Sequence, residues 1–200
     1  MGKPMGLQPL IVGIGGTLRR GSGTERALRL ALFHAENHGA KTHILAGPDL
    51  AFPHFDPHVG ASHEQTREFC DVLRRADGII VSSPCYHGSI SGLIKNALDY
   101  VEDMRSDPRP YFDGRAVGCI GCGAGTQGPS MVVTELRTIV HALRGWCAPL
   151  AVAINAPQVT LSDRQCSDPH IDKQLEIMAR QVVEFARMTM NQRPLSVLTA

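Results

Sequence analysis

Residues 13–28 read GIGGTLRRGSGTERAL and gather Thr17, Arg19, Ser22 and Thr24 around several glycines in one short turn. Two patterns with this look are excluded by single positions. A dinucleotide fingerprint needs glycine where Leu18 stands, and a P-loop needs lysine where Ser22 stands. No aspartate follows a strand in the place that would hold magnesium, so a nucleoside triphosphate is a poor fit. Hydroxyls, a guanidinium and free amides at a helix start suit a terminal monophosphate instead. A second constellation, SSPCYHGSISGLIKNALDYVEDM at 82–104, follows another apolar run. Pro84 lacks an amide hydrogen and is expected to end that strand. Cys85, Tyr86, His87, Gly88, Ser89 and Gly92 then offer backbone groups and aromatic flanks to a planar ligand.

Other residues invite chemistry with less reason. Cys119 and Cys122 form one C-x-x-C, but no second pair completes a zinc or iron–sulfur set, and an apolar strand accounts for them. His54, His58 and His63 lie in a Pro- and Gly-containing stretch and read as exposed loop residues, so no metal is expected. No side chain is assigned as a catalytic acid or base.

Bulk properties narrow the class. Hydrophobic residues make up 43% of the 200, enough for a sheet covered on both faces. The formal net charge of +1 provides no basic field for nucleic acid or anionic membrane. The apolar run near the start is too short to span a bilayer and lacks the flanks of a signal peptide. Six cysteines without such a signal read as reduced thiols, and the expected location is the cytoplasm.

These residues need elements to position them. Apolar runs at 9–16, 41–47, 77–84, 115–123 and 148–155 read as strands. Between them, helical stripes run through Leu28, Ala31, Leu32 and Ala35; through Phe69, Val72, Leu73 and Ala76; and through Val132, Leu136, Ile139, Val140 and Leu143. Ile171, Leu175, Met178, Val182 and Phe185 mark a last helix. Ser62 with Gln65 predicts a capping box, Asp168 before Pro169 a helix start, and Gly39 and Gly145 two helix ends. Five β-α repeats imply an α/β doubly wound parallel sheet of order 2-1-3-4-5 with helices on both faces, within one domain over 1–200 whose core spans about 8–190. In that topology the ligand crevice opens beyond strands one and three, where both constellations lie.

At GGTLRRGSGTERAL (15–28) and SPCYHGSISGLIKNALDY (83–100), with a weaker third piece GCGAGTQG (121–128), the chain resembles the NADPH-dependent FMN reductase family, which includes quinone, chromate and azo-dye reductases. The resemblance implies a flavodoxin-like fold and FMN as cofactor. Thr17, Arg19, Ser22 and Thr24 would hold the FMN phosphate. Pro84, Cys85, Tyr86, His87, Gly88 and Ser89 would border the isoalloxazine and ribityl chain, and Gly123 would line the far side of the ring. NADPH or NADH would give hydride, and a small electron acceptor would follow it in a ping-pong sequence. The same resemblance implies a homodimer or homotetramer, with Lys95 and Asp99 on the third helix near subunit contacts. The apolar residues Leu93, Ala97, Leu98 and Val101 suggest such a contact, and Phe52 to Asp56 would form a wall of the acceptor site. The competing reading is a flavodoxin-type electron carrier, FMN-binding but without NAD(P)H oxidation. Such carriers tend to be strongly acidic, and this chain is near neutral.

Overall fold

The structure is a computed structural model and describes residues 8–192. In the middle of the sheet, apolar runs without strict alternation form strands buried on both faces, as a parallel sheet requires. The edge strand at 41–46 is exposed or half-buried along most of its length. β1 (Leu10–Gly15), β2 (Lys41–Ala46), β3 (Gly78–Tyr86), β5 (Ala116–Gly123) and β6 (Trp146–Cys147) follow the order β2-β1-β3-β5-β6. β4 (Ser89–Ile90) pairs antiparallel with β3, and β7 (Val152–Asn155) runs parallel to β5. The sheet core is thus 2-1-3-4-5 in the order of its main strands.

Alternate residues along each strand feed opposite cores. Val12, Ile79 and Val81 pack under α2 (Glu64–Arg75), α3 (Gly92–Asp99) and α4 (Gln127–Ala142). Ile11, Ile80 and Ile120 pack under α1 (Gly23–Asn37) and α5 (Pro169–Gln192). Cys119 and Cys122, three apart on β5, fall in different cores and cannot face each other. No helix among the described residues is long and apolar enough to cross a membrane.

Several local expectations are corrected. β3 does not stop at Pro84 but runs on to Tyr86. Its ladder with β1 ends at Gly15↔Ser82, so Pro84 lies where that flank is already open, and its missing donor costs no ladder bond there. The fifth strand is two pieces rather than one run over 148–155. β6 meets Ala116 and Val117, β7 meets Ile120 through Gly123, and the chain between them leaves the ladder at Pro149, with the Leu150 amide donating to Gln181 Oε1 at 3.0 Å. The Ser62 capping box does not form. His63 is the N-cap of α2, and the Gln65 amide nitrogen donates instead to the carbonyls of Pro48 and Asp49. At the end of α4 the left-handed residue is Arg144, φ 62°, with its guanidinium over the Tyr111 ring. Gly145 is required by packing, because a Cβ there would lie 2.9 Å from Val140 Cγ1. Asp168 does cap α5, accepting from the His170 amide at 2.8 Å.

The segment before β5 is organised by one buried cation. Arg115 is 1% exposed and donates to the carbonyls of Arg74, Ala76 and Tyr111, each at 3.0 Å, which fastens residues 105–115 to the end of α2. On α3, Ala97 and Leu98 are buried against the sheet, as is Val101 just beyond it. These residues are therefore not free for a subunit contact, and only Leu93 is half-exposed. Lys95 and Asp99 pair with each other at 2.6 Å on the outer face of the helix.

Candidate active site

The turn after β1 is built on two left-handed glycines, Gly16 at φ 88° and Gly21 at φ 69°. Between them the Thr17 hydroxyl accepts from the Arg19 amide at 3.2 Å, a local turn that leaves the Arg19 side chain in solvent. Ser22 is the N-cap of α1, with its Oγ accepting from the Glu25 amide at 3.3 Å. Glu25 reaches back to accept from the Gly21 amide at 2.8 Å and is itself held by Arg29. Thr24 is buried, and its hydroxyl meets the Cys122 thiol. The hydroxyls of Ser22 and Thr24 are thus committed inside the protein. What these two positions and Gly23 direct outward is the start of α1, where backbone amides and the positive dipole end gather.

Beyond β3 the chain makes a two-residue hairpin. Tyr86 and Ser89 face each other in the ladder, and the residues between them, His87 and Gly88, have φ of 52° and 83°. Positive φ at both positions is the type I′ geometry that matches strand twist. Two buried or half-buried anchors hold this hairpin. Ser83 Oγ accepts from the Ser91 amide at 3.0 Å, and Glu135 of α4 accepts from Ser89 Oγ at 2.9 Å and from the Ile90 amide at 3.1 Å. Ser89 is therefore turned toward α4. Cys85 leans on the turn after β5: a Cβ on Gly123 would lie 3.0 Å from its Cβ, and one on Gly128 only 2.8 Å from its Sγ. That turn is itself tied down, with the Gly125 amide donating to Asn155 Oδ1 at 2.9 Å.

A cleft of about 420 Å³ opens where the first two turns meet, lined by Thr17, Leu18, Arg19, Tyr86, Ser91, Gly92 and Leu93. It lies beyond the carboxyl ends of β1 and β3, at the point where the sheet order reverses. The cleft gathers Thr17, Arg19 and Tyr86 from the candidate residues. Pro84 is buried behind it, His87 and Gly88 form the tip, and Cys85 and Gly123 meet at the side. Gly92 reads from sequence as part of the loop beside a planar ligand and Leu93 as a subunit contact, while Leu18 and Ser91 are not singled out. Ser91 had a visible signal, since a serine three before Ile94 at a helix start reads as an N-cap, and its Oγ does accept from the Ile94 amide. A second, mostly apolar cavity of about 440 Å³ lies across the hairpin, between Gly88 and Met131. The groove of about 890 Å³ along β2 and α2 is larger, but none of the candidate residues line it.

The segment 52–56 packs against the later part of α3 and the turn that follows it. Phe52 and Phe55 pack edge-on against Tyr100, and Asn96 holds the backbone by accepting from the Phe55 amide at 2.8 Å and donating to the Pro53 carbonyl. It is not among the residues that line the cleft. Among the described residues, no group of three His, Cys, Asp or Glu side chains is placed to hold a metal ion. The thiols of Cys119 and Cys122 are pushed up to about 12 by burial, which removes them from thiolate chemistry at neutral pH.

A phosphorylated planar ligand fits these surroundings. A Cβ added to Gly23, Gly92 or Gly125 would meet nothing within 4 Å, so one glycine in each of the three turns faces open space. The cleft brings a cation, Arg19, and a hydroxyl, Thr17, together with the start of α3 and the exposed Tyr86 ring. The start of α1 follows the same turn as Thr17 and Arg19. A profile of the NADPH-dependent FMN reductase family matches residues 9–158. The chain belongs to this family. Among its relatives, an FMN-dependent NADPH-azoreductase of Staphylococcus aureus (strain USA300) is 30% identical over 146 residues, covering 69% of this chain and 72% of that one. The Staphylococcus haemolyticus azoreductase is 27% identical over 139 residues, covering 68% and 70%. Among solved structures, the flavoenzyme FerB, an NAD(P)H:(acceptor) oxidoreductase of Paracoccus denitrificans, superposes with a TM-score of 0.74 at 19% identity, covering 90% of this chain and 98% of that one. A flavodoxin of the WrbA-like type from Agrobacterium tumefaciens gives 0.63 at 16%, covering 91% and 99%. At these identities the structural matches establish the flavodoxin-like fold. As an FMN reductase, the chain is an NAD(P)H-dependent oxidoreductase.

Proposed function

We propose that this FMN reductase binds FMN with its phosphate at the start of α1 and its ring system beside Tyr86, and that it reduces a small planar aromatic acceptor, an azo compound or quinone, at the expense of NADPH or NADH. The observation that carries the reading is one cleft lined by Thr17 and Arg19 from the turn after β1 and by Tyr86 from the end of β3. In this reading Arg19 and the Thr17 hydroxyl contact phosphate oxygens with side chains, while Ser22, Gly23 and Thr24 contribute backbone amides. Pro84, Cys85, His87, Gly88 and Ser89 shape the hairpin that borders the ring, and Gly123 keeps the opposite turn close. Bound FMN would supply the chemistry, taking hydride from the nicotinamide and releasing electrons to the acceptor. The residues of the chain supply alignment and exclusion of water, and no side chain is needed as an acid in the hydride step. The exposed Leu18 and Tyr86 give the cleft an apolar surface for aromatic acceptors, and the azoreductase relatives support that class. The same reading treats the chain as one FMN-binding domain acting as a cytoplasmic homo-oligomer.

The alternative, an electron carrier of flavodoxin type, is disfavoured by the net charge of +1 and by Arg19 in the phosphate turn. An anaerobic visible spectrum tests both. Purified yellow protein that bleaches on addition of NADPH and recovers colour on addition of an azo dye supports the reductase. Yellow protein indifferent to NADPH and NADH refutes it in favour of the carrier.

A further inference from the structure

Glu25 stands in the first turn of α1, directly under the turn assigned above to the FMN phosphate, and is only 4% exposed. A buried carboxylate in that place opposes an incoming anion unless its charge is cancelled. Its two oxygens are divided between two tasks. Oε2 accepts from the Gly21 amide at 2.8 Å, while Oε1 accepts from Arg29 Nε at 2.9 Å and Nη2 at 2.7 Å. Gly21 is left-handed at φ 69°, so the first bond fixes the turn at its tightest point. Arg29 lies one helical turn further along α1, its side chain 34% exposed, and it does not line the cleft.

We propose that the Glu25–Arg29 pair sets the preference of this site for a phosphorylated over an unphosphorylated flavin. Glu25 shapes the turn through Gly21, and Arg29 removes the electrostatic cost that Glu25 would otherwise impose on the phosphate. Arg29 is thereby a specificity-determining positioning residue that acts from outside the cleft. The inference rests on the flavin reading given above, and it concerns the ratio of two affinities rather than turnover.

The test titrates the full-length protein, freed of flavin, with FMN and with riboflavin, following flavin fluorescence at pH 8. Wild type is compared with Arg29→Met, Arg29→Lys and the double variant Glu25→Gln/Arg29→Met. Arg29→Met leaves the buried carboxylate uncompensated, so FMN affinity falls by about tenfold or more while riboflavin changes by less than about twofold. Arg29→Lys keeps the charge and holds the FMN-to-riboflavin ratio within about threefold of wild type. The double variant has neither charge and recovers most of the lost ratio, a result that a purely structural role would not give. Thermal melts confirm that each variant is folded; should Arg29→Met fail to fold, an altered ratio in the charge-conserving Arg29→Lys overturns the inference and a preserved one supports it. Equal losses for both flavins, or an unchanged ratio in folded Arg29→Met, overturn it while leaving the FMN site intact. A wild-type protein that takes up neither flavin overturns the FMN reading itself and the inference with it.

Discussion

Ser83 Oγ accepts the backbone amide of Ser91 at 3.0 Å, and both residues are buried. The contact joins the end of β3 to the start of α3 beneath the hairpin, so the tip bearing Tyr86 and His87 is held from below. Replacing Ser83 by alanine leaves the Ser91 amide without its acceptor in a dry place. Ser83→Ala is expected to cost about 1–3 kcal/mol in stability, read by urea denaturation, and to weaken FMN binding as the hairpin loosens.

Arg19 offers the opposite case, a residue that holds no part of the fold. Its side chain is exposed, and among the described residues only its backbone is hydrogen-bonded. If Arg19 contacts the phosphate as proposed, Arg19→Ala weakens FMN binding by about tenfold while leaving the melting temperature unchanged, because only a charge-assisted bond to the ligand is lost. Unaltered FMN affinity, measured by fluorescence quenching, would place Arg19 outside the site.

Two glycines separate the scaffold from the cleft. A Cβ on Gly121 would collide with the carbonyl of Pro129, which comes from the first turn of α4, so Gly121→Ala should lose about 1–3 kcal/mol or fail to fold. A Cβ on Gly92 meets nothing within 4 Å but enters the cleft. Gly92→Ala, at the first residue of α3, should be as stable as wild type or slightly more so, yet bind FMN less tightly. Calorimetry and flavin titration on the two variants distinguish these roles.

Burial makes the thiols predictable. Cys70, Cys119 and Cys122 are each pushed up to about 12 by burial, well above the ordinary value of 9.0. In the folded protein at pH 8 these three should resist a thiol reagent and react only as fast as the chain unfolds. The sign of the linked pH effect follows. Above about pH 9 the unfolded chain releases thiol protons that the folded chain retains, so stability falls with rising pH by about 1.4 kcal/mol per unit for each such thiol. Stability that stays flat between pH 9 and 11 would contradict the assignment of these groups as dry.

Much of the scaffold is legible in residue order. Apolar runs and helical stripes place the first four parallel strands and the helices, because both report burial, and burial is what the sheet and its two helical layers impose. The run at 148–155 finds β7 but not β6. What escapes is contingent on neighbours. Pro84 looks like a strand terminator until β1 is seen to end at Gly15, which frees the flank that proline cannot serve. Ser62 has the spacing of a capping box, but Gln65 finds carbonyls of Pro48 and Asp49 that are distant in the chain. A true relative of that motif lies at Ser22–Glu25 inside the candidate phosphate turn, where attention to hydroxyls as ligands hides their role as caps. Thr24 is the same lesson, since its contact with Cys122 joins a helix start to a strand on the sheet beside it. The lining by Leu93 depends on where α3 sits relative to β1, which the local signals at Ser91 and Gly92 do not encode.

The hairpin beyond β3 also bears on how such an enzyme changes its diet. Its strands are fastened from both sides, by Ser83 to the neighbouring helix and by Glu135 across Ser89 and Ile90. At the tip, the side chains of Tyr86 and His87 make no hydrogen bond among the described residues. Under the proposed function, selection for a new acceptor can vary the side chain at Tyr86 in shape and polarity without loosening the frame. The left-handed backbone at His87 narrows the choice there.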